Sequence, residues 1–326
     1  MNTKAYFNVS GLPIEIRADL PSLLKSLKND LQFFQAKGGD SQPGQVKIIL
    51  TALPLSMNGY PYPALFSPYR EMAPQPSLSV DSHISLYGRR SDITVITHFR
   101  KRTIQAAVVM DPTLLPDPVY YYCFTQPISF WLKKRGHFFL HAGCVADGPE
   151  GILILGSSRA GKSVLTTSAV RSGFQFLSDE QPLLMHRNGR LEVRAFPRRI
   201  RLDRSVATIF PELKSIIKST PSERIVFSAE QLWPGHLAPS CTPRVLVFPR
   251  FHPRASLKLS PLDGAAALGR LLQDDYFVWY RDPPLNAVSN RHLSLLKELA
   301  KHTRAFSLGY GIKDILRIPS LLRKLL

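Results

Sequence analysis

The stretch GILILGSSRAGKSVLTTSAVRSG, residues 151–173, decides how this chain is read. Gly151–Leu155 is a short apolar run suited to a buried strand. Gly156, Ser157, Ser158, Arg159, Ala160, Gly161, Lys162 and Ser163 then satisfy the pattern G-x-x-x-x-G-K-S/T in full. A helix from Lys162 to Ser172, closed by Gly173, is predicted to follow. The glycines let the backbone turn its N–H groups inward, where phosphate oxygens meet them beside a helix N-terminus. The lysine brings a cation to the β- and γ-phosphates, and the serine hydroxyl offers a ligand to Mg²⁺. A nucleoside triphosphate with Mg²⁺ is therefore expected.

Downstream, Phe174–Leu177 reads as the next strand and runs straight into Ser178-Asp179-Glu180. A carboxylate at such a strand end, beside the strand that feeds the loop, can hold Mg²⁺ or accept the proton of an attacking hydroxyl. Upstream, Phe138–Val145 reads as a strand containing His141, and Asp147-Gly148-Pro149-Glu150 turns it back into the loop strand. That antiparallel pairing puts His141 towards the loop. There an imidazole can stabilise developing charge or hydrogen-bond Asp179.

The chain of 326 residues is 44% hydrophobic and 20% charged, the composition of a folded protein. No apolar run of about 18 residues occurs, which excludes a membrane-spanning helix. The N-terminus lacks the apolar core of a secretion signal. Cys123, Cys144 and Cys241 show no C-x-x-C spacing, against a disulfide framework or a zinc site, and a cytoplasmic location is expected. The net charge of +18 favours anionic partners. Arg194, Arg198, Arg199, Arg201 and Arg204 cluster within eleven residues; the first four are the candidate substrate residues, able to receive an acidic peptide or a terminal carboxylate. No aromatic-plus-basic motif is present, so nucleic acid is not an expected partner.

Residues 1–76 read as a small α/β lobe, with weak alternation over Tyr6–Ile16 around a Gly-Leu-Pro turn, a helix over Pro21–Phe34 and a strand over Gln45–Leu50. Leu53–Pro76 lacks any period and reads as an irregular connection. A second domain over 77–326 is expected to open with antiparallel strands Leu78–Tyr87, Asp92–His98 and Thr103–Met110, then a buried helix Tyr120–Arg135. Further on, Leu183–Arg187 and Leu191–Phe196 flank Asn188-Gly189, a two-residue hairpin signal. Ser205–Lys218 reads as helical, Arg244–Pro249 as a strand, and 264–326 as a helical C-terminal part.

His141-Ala142-Gly143, the loop GSSRAGKS and the run Gly173–Glu180 together resemble the catalytic domain of the HPr serine kinase/phosphorylase family. The chain looks like the divergent HPr-kinase-like serine kinases found beside peptide-tailoring genes, including those acting on lasso-peptide precursors. PISFWLKKRGHFFLHA, residues 127–142, and FPRRIRL, residues 196–202, carry that second likeness, which is good over 125–205 and weak over the first 100 residues. It implies an α/β fold, a PEP-carboxykinase-like mixed sheet flanked by helices, and transfer of the γ-phosphate of ATP to a serine of a peptide or protein. By carry-over Lys162 and Ser163 bind phosphates and Mg²⁺, Asp179 is the base, Glu180 with Asp179 and Ser163 a metal ligand, and His141 an accessory catalytic residue. Family members are often oligomeric, so a homo-oligomer belongs to the same expectation. A small-molecule kinase and a regulatory NTPase stay open as alternatives. Three departures stand out: Arg159 replaces a glycine, Glu180 replaces an aspartate, and Glu192-Val193-Arg194-Ala195 only partly echoes the Glu-Leu/Ile-Arg-Gly signature.

Overall fold

The computed structural model describes residues 3–36, 43–53, 82–87, 93–109, 119–274 and 286–326. The chain divides into two units between Lys134 and Arg135. The expected boundary at 76/77 lies outside the described residues, and the division falls later for a topological reason given below.

In the first unit, strands β1 (Thr3–Val9) and β2 (Leu12–Ala18) form a hairpin. Ser10 and Gly11 make its turn with φ of 50° and 83°. The expected Gly-Leu-Pro turn thus gives only its glycine to the turn, and Leu12 and Pro13 enter β2. Helix α1 (Pro21–Leu31) follows, and its helically spaced Leu23, Leu24, Leu27 and Leu31 are buried as the spacing predicts. Strands β3 (Val46–Leu53), β4 (Ser82–Tyr87), β5 (Ile93–His98) and β6 (Thr103–Val109) complete a six-stranded sheet ordered β1-β2-β3-β6-β5-β4. The β4–β6 strands are antiparallel as expected, but β6 pairs parallel with β3. That pairing draws them into the first unit and moves the boundary. The helix expected over Tyr120–Arg135 is a wider π-type turn over Val119–Thr125, then α2 (Gln126–Lys134).

In the second unit the strands are β7 (Phe138–Phe139), β8 (Ala142–Asp147), β9 (Glu150–Leu155), β10 (Gln175–Ser178), β11 (Leu183–Arg187), β12 (Arg190–Arg194), β13 (Ile200–Asp203), β14 (Arg224–Phe227), β15 (Ser240–Phe251), β16 (Lys258–Leu262) and β17 (Arg304–Tyr310). Helices α3 (Lys162–Arg171), α4 (Gly264–Asp274), α5 (Asn286–His302) and α6 (Ile318–Lys324) accompany them. Nine strands make one mixed sheet along β10-β8-β9-β15-β12-β11-β7, with β17 beside β15 and β16 beside β17. The loop strand β9 is central, antiparallel to β8 and parallel to β15. Gly151–Leu155 is buried throughout, which explains its unbroken apolar run.

Helix α3 packs Leu165, Ala169 and Val170 between two layers. Val145, Ile152, Ile154, Val245 and Val247 lie on the sheet side, and Ile200, Leu202, Ile225 and Phe227 on the separate β13–β14 pair. The helix ends in a Schellman motif: Phe174 N–H donates to Ala169 O at 3.1 Å and Gly173 N–H to Val170 O at 3.0 Å, with Gly173 at φ +96°. The Asn188-Gly189 hairpin joins β11 to β12 with both residues at positive φ, as the dipeptide predicts.

Three expectations fail here. The helical run over Ser205–Lys218 is three short turns, Arg204–Ala207, Pro211–Leu213 and Lys214–Ser219, because Pro211 restarts the chain after Phe210. The C-terminal part is not wholly helical, since β17 lies between α5 and α6 and pairs parallel with β15. The strand Phe138–Val145 breaks at Leu140-His141, where the chain leaves β11 and joins β9.

His137 gives a testable consequence of this packing. It is 8% exposed and its Nδ1 has no hydrogen-bond partner among the described residues. Burial, then the positive charges of Arg194, Arg135 and Arg291, push its pKa down to about 4. Between pH 6.5 and 4 the unfolded chain takes a proton that the folded chain refuses, so stability falls as pH falls through this window. His137→Gln should remove that slope, with a difference of about 2 kcal/mol at pH 4 by urea unfolding and none at pH 7.5.

Candidate active site

Three strand ends meet at one edge of the second unit's sheet. Strand β8 lies between β9 and β10 and is antiparallel to both, so β9 and β10 run the same way and end together. The sequence expectation put the Asp179 strand directly beside the loop strand; the structure inserts β8 between them. The acidic turn reaches the loop because Ala142 stands opposite Leu155 and its N–H donates to Glu180 O at 3.1 Å. Leu140 N–H donates to Pro182 O at 2.9 Å. His141 is thus held on the bend between these two bonds, buried, with Gly156 on one side and Asp179-Glu180 on the other.

Asp179 is 7% exposed. Burial is the main cause that pushes its pKa up to about 7, and the Glu180 charge raises it further. The Ser163 hydroxyl, the Lys162 charge and the Thr166 hydroxyl pull the other way. Among the described residues its Oδ1 makes no hydrogen bond of ordinary geometry, nor does Thr166 Oγ1, and both are buried. These two buried oxygens, with the Ser163 hydroxyl that faces Asp179, are an oxygen donor set of the kind Mg²⁺ prefers. Magnesium commonly takes one or two carboxylates plus phosphate oxygens, so the lack of any cluster of three or more His, Cys, Asp or Glu among the described residues is compatible with it.

The phosphate loop is shaped by three positive φ angles, +143° at Gly156, +67° at Arg159 and +100° at Gly161. Ser157, Ser158 and Arg159 are exposed at its tip, and Ala160 N–H donates to Ser157 O at 3.2 Å. Lys162 is buried, and its Nζ donates to the carbonyls of Gly156 at 2.5 Å and Ser157 at 3.1 Å. Its charge is held over the mouth of the loop, where phosphate oxygens can replace those carbonyls. The cradle, the lysine and the oxygen donors fit a magnesium-bound triphosphate.

The structure brings Asp179, Lys162 and Ser163 together, leaves His141 on the adjoining bend, and redistributes the rest. Glu180, expected to ligate metal, accepts at Oε2 from Arg198 Nη1 at 2.9 Å. Arg198, expected to bind substrate, has a side chain only 5% exposed and serves to anchor that turn. Arg194 pairs with Glu192 at 2.9 Å. Arg204 donates to Thr220 O, Ser222 O and Ile217 O. Arg199 and Arg201 are each half-buried and interact within the fold. The expected substrate cluster is therefore largely engaged in holding the chain together, because Arg194 at the end of β12, Arg198 on the turn before β13 and Arg204 just after β13 meet carboxylates and carbonyls.

Four residues support the site in ways the sequence reading does not assign to them. Ser178 donates its hydroxyl to Phe196 O at 2.9 Å and accepts from Gln181 N–H at 3.0 Å and Glu180 N–H at 3.3 Å, fixing the acidic turn. Its position just before Asp179 is a readable turn signal. Thr166, one helical turn after Ser163, faces Asp179. Gly143 admits it, since a Cβ there would lie 2.4 Å from Thr166 Oγ1. Tyr310 donates its hydroxyl to Gly161 O at 3.1 Å from 149 residues away, and no local pattern announces that contact.

No family model matches the chain, and no curated protein matches it. Among solved structures it is similar to the Hpr(Ser) kinase/phosphatase from Coxiella burnetii, at 15% identity, covering 57% of this chain and 88% of that one, with a TM-score of 0.30. A likeness of that size carries no inference about activity, which rests on the residues themselves. Among the described residues no helix is long and apolar enough to cross a membrane.

Proposed function

We propose that this chain is an ATP- and Mg²⁺-dependent kinase that phosphorylates a serine hydroxyl of a peptide or protein. The observation that carries the reading is Asp179, a buried carboxyl with a pKa pushed up to about 7, set at the end of β10 beside the Ser163 hydroxyl of the phosphate loop. A general base works best when its pKa lies near the operating pH, and this one stands where an acceptor hydroxyl would meet a γ-phosphate. The sequence resemblance supports the same acceptor chemistry and points to ribosomal peptide precursors of the lasso type.

Bound Mg²⁺-ATP supplies a γ-phosphoryl group for transfer and ADP as the leaving group. Ser163 and Asp179 are the oxygen donors proposed for the metal. Asp179 takes the proton of the acceptor hydroxyl. Lys162 moves from the Gly156 and Ser157 carbonyls to the phosphates and neutralises charge there. His141, on the bend between loop and acid, stabilises the charge that builds up during transfer. The Glu180–Arg198 pair and Ser178 hold the turn that aims Asp179.

The test is incubation with Mg²⁺-ATP and serine-containing peptides, with phosphoserine read by mass spectrometry. Phosphoserine is expected with the native chain and absent with Lys162→Ala. Turnover of ATP at the native rate by Lys162→Ala would remove the loop from the account.

A further inference from the structure

Among the described residues, one group of exposed cations without side-chain partners lies beyond the phosphate loop, not in the 194–204 run. Phe251 N–H donates to Ala160 O in the loop at 3.3 Å, and Tyr310 donates to Gly161 O. From these two anchors the chain continues as two turns tied to each other: His252 N–H donates to Tyr310 O at 3.1 Å and Ile312 N–H to Pro253 O at 3.3 Å. Residues 250–257 and 311–317 thus form one surface that begins at the loop.

Arg250, His252, Arg254, Lys313 and Arg317 are exposed there, and none pairs with a described residue through its side chain. The single carboxylate of the two segments, Asp314, is occupied by the N–H of Gly311 at 3.0 Å. The same surface holds Leu257, Ile312 and Leu316, exposed to 42%, 44% and 45%, which are the exposed large apolar side chains among the described residues. Uncompensated cations and solvent-facing aliphatics side by side, next to a transfer site, are unusual for a plain solvated surface.

We infer that this surface docks the acceptor, an acidic peptide segment carrying aliphatic residues beside the serine to be phosphorylated. Charge complementarity selects an acidic partner, and the three aliphatic side chains give it apolar contact area. The exposed apolar groups are aliphatic, not aromatic, whereas single-stranded nucleic acid is usually gripped by stacking rings, so a peptide is favoured. The inference rests on the phosphoryl-transfer reading for the role of the docked segment, but binding can be measured without any transfer.

The probe is a fluorescein-labelled peptide of Glu, Leu and Ser residues, titrated with the full chain and followed by anisotropy. The variants are Arg254→Glu with Arg317→Glu, and separately Ile312→Ser with Leu316→Ser; retained ATP affinity shows that each is folded. The charge reversal should weaken peptide binding about tenfold and flatten its salt dependence. The aliphatic pair should weaken it about threefold to tenfold with little change in salt dependence. Unchanged peptide binding in both variants would overturn the inference. So would tighter, equally charge-dependent binding of single-stranded RNA or of vesicles containing phosphatidylserine, in favour of those partners. If the peptide binds as expected but no phosphoserine forms, the docking surface stands and the kinase reading falls.

Discussion

Asp179→Asn is expected to reduce phosphoryl transfer by roughly 10²–10⁴-fold while making the protein more stable above pH 7. Both effects come from one cause. Burial raises the carboxyl's pKa from 3.8 to about 7, so the folded state prefers the proton that the unfolded state gives up early. Between about pH 4 and pH 7 the unfolded chain ionises this carboxyl and the folded chain resists. Stability therefore falls as pH rises through that window, and the loss is complete above it. Three pKa units set an upper bound of about 4 kcal/mol, and an observed gain of a few kcal/mol for the Asn variant at pH 8 is expected. At pH 4 the two proteins should unfold at similar urea concentrations. His137 slopes the opposite way over an overlapping range, so the native profile is the flatter sum and each variant uncovers one component. A group left at a cost in stability beside a phosphate loop is best explained by its use there. ATP affinity measured without Mg²⁺ should change little in Asp179→Asn, which separates loss of the carboxylate from loss of the loop.

Gly161→Ala is expected to damage the loop itself. Gly161 has φ +100°, a conformation costly for any residue with a side chain, and a Cβ there would lie 2.1 Å from Tyr310 Oη and 3.1 Å from Phe251 Cβ. Tyr310 is buried and cannot swing away without opening the core behind α3. We expect a loss of about 2–4 kcal/mol in unfolding free energy and at least tenfold weaker ATP binding. Tyr310→Phe in the same background should recover the part due to the hydroxyl and leave the backbone strain. A double-mutant cycle from urea unfolding and ATP titration measures the two parts. Full additivity of the two substitutions would show that Tyr310 does not press on the loop.

The loop, its strand and its helix were legible because each depends on residues adjacent in sequence. Gly156 and Gly161 set the backbone, GILIL reads as a strand buried on both faces, and Gly173 closes the helix. Asp179 and His141 were legible for a related reason, since β10 and β8 are chain neighbours of β9. What stayed hidden depends on distant pairing. Nothing around Thr103–Val109 shows that β6 pairs parallel with β3, and this pairing moves the unit boundary to Lys134. The five arginines look like a binding cluster in one dimension, yet Arg198 meets Glu180 and Arg204 meets three carbonyls only after β13 is placed. The basic surface beyond the loop was equally hidden, because Arg254 and Arg317 are brought to one side by β15 and β17 running in parallel.

The central claim is that the γ-phosphate ends on a serine oxygen, and phosphorus NMR of the reaction with Mg²⁺-ATP and an acidic serine peptide follows it directly. A phosphate monoester resonance should grow as γ-phosphate is lost, split with the serine β-protons, and grow at least about a hundredfold more slowly with Asp179→Asn. Growth of inorganic phosphate alone, at a rate indifferent to the peptide, would contradict it.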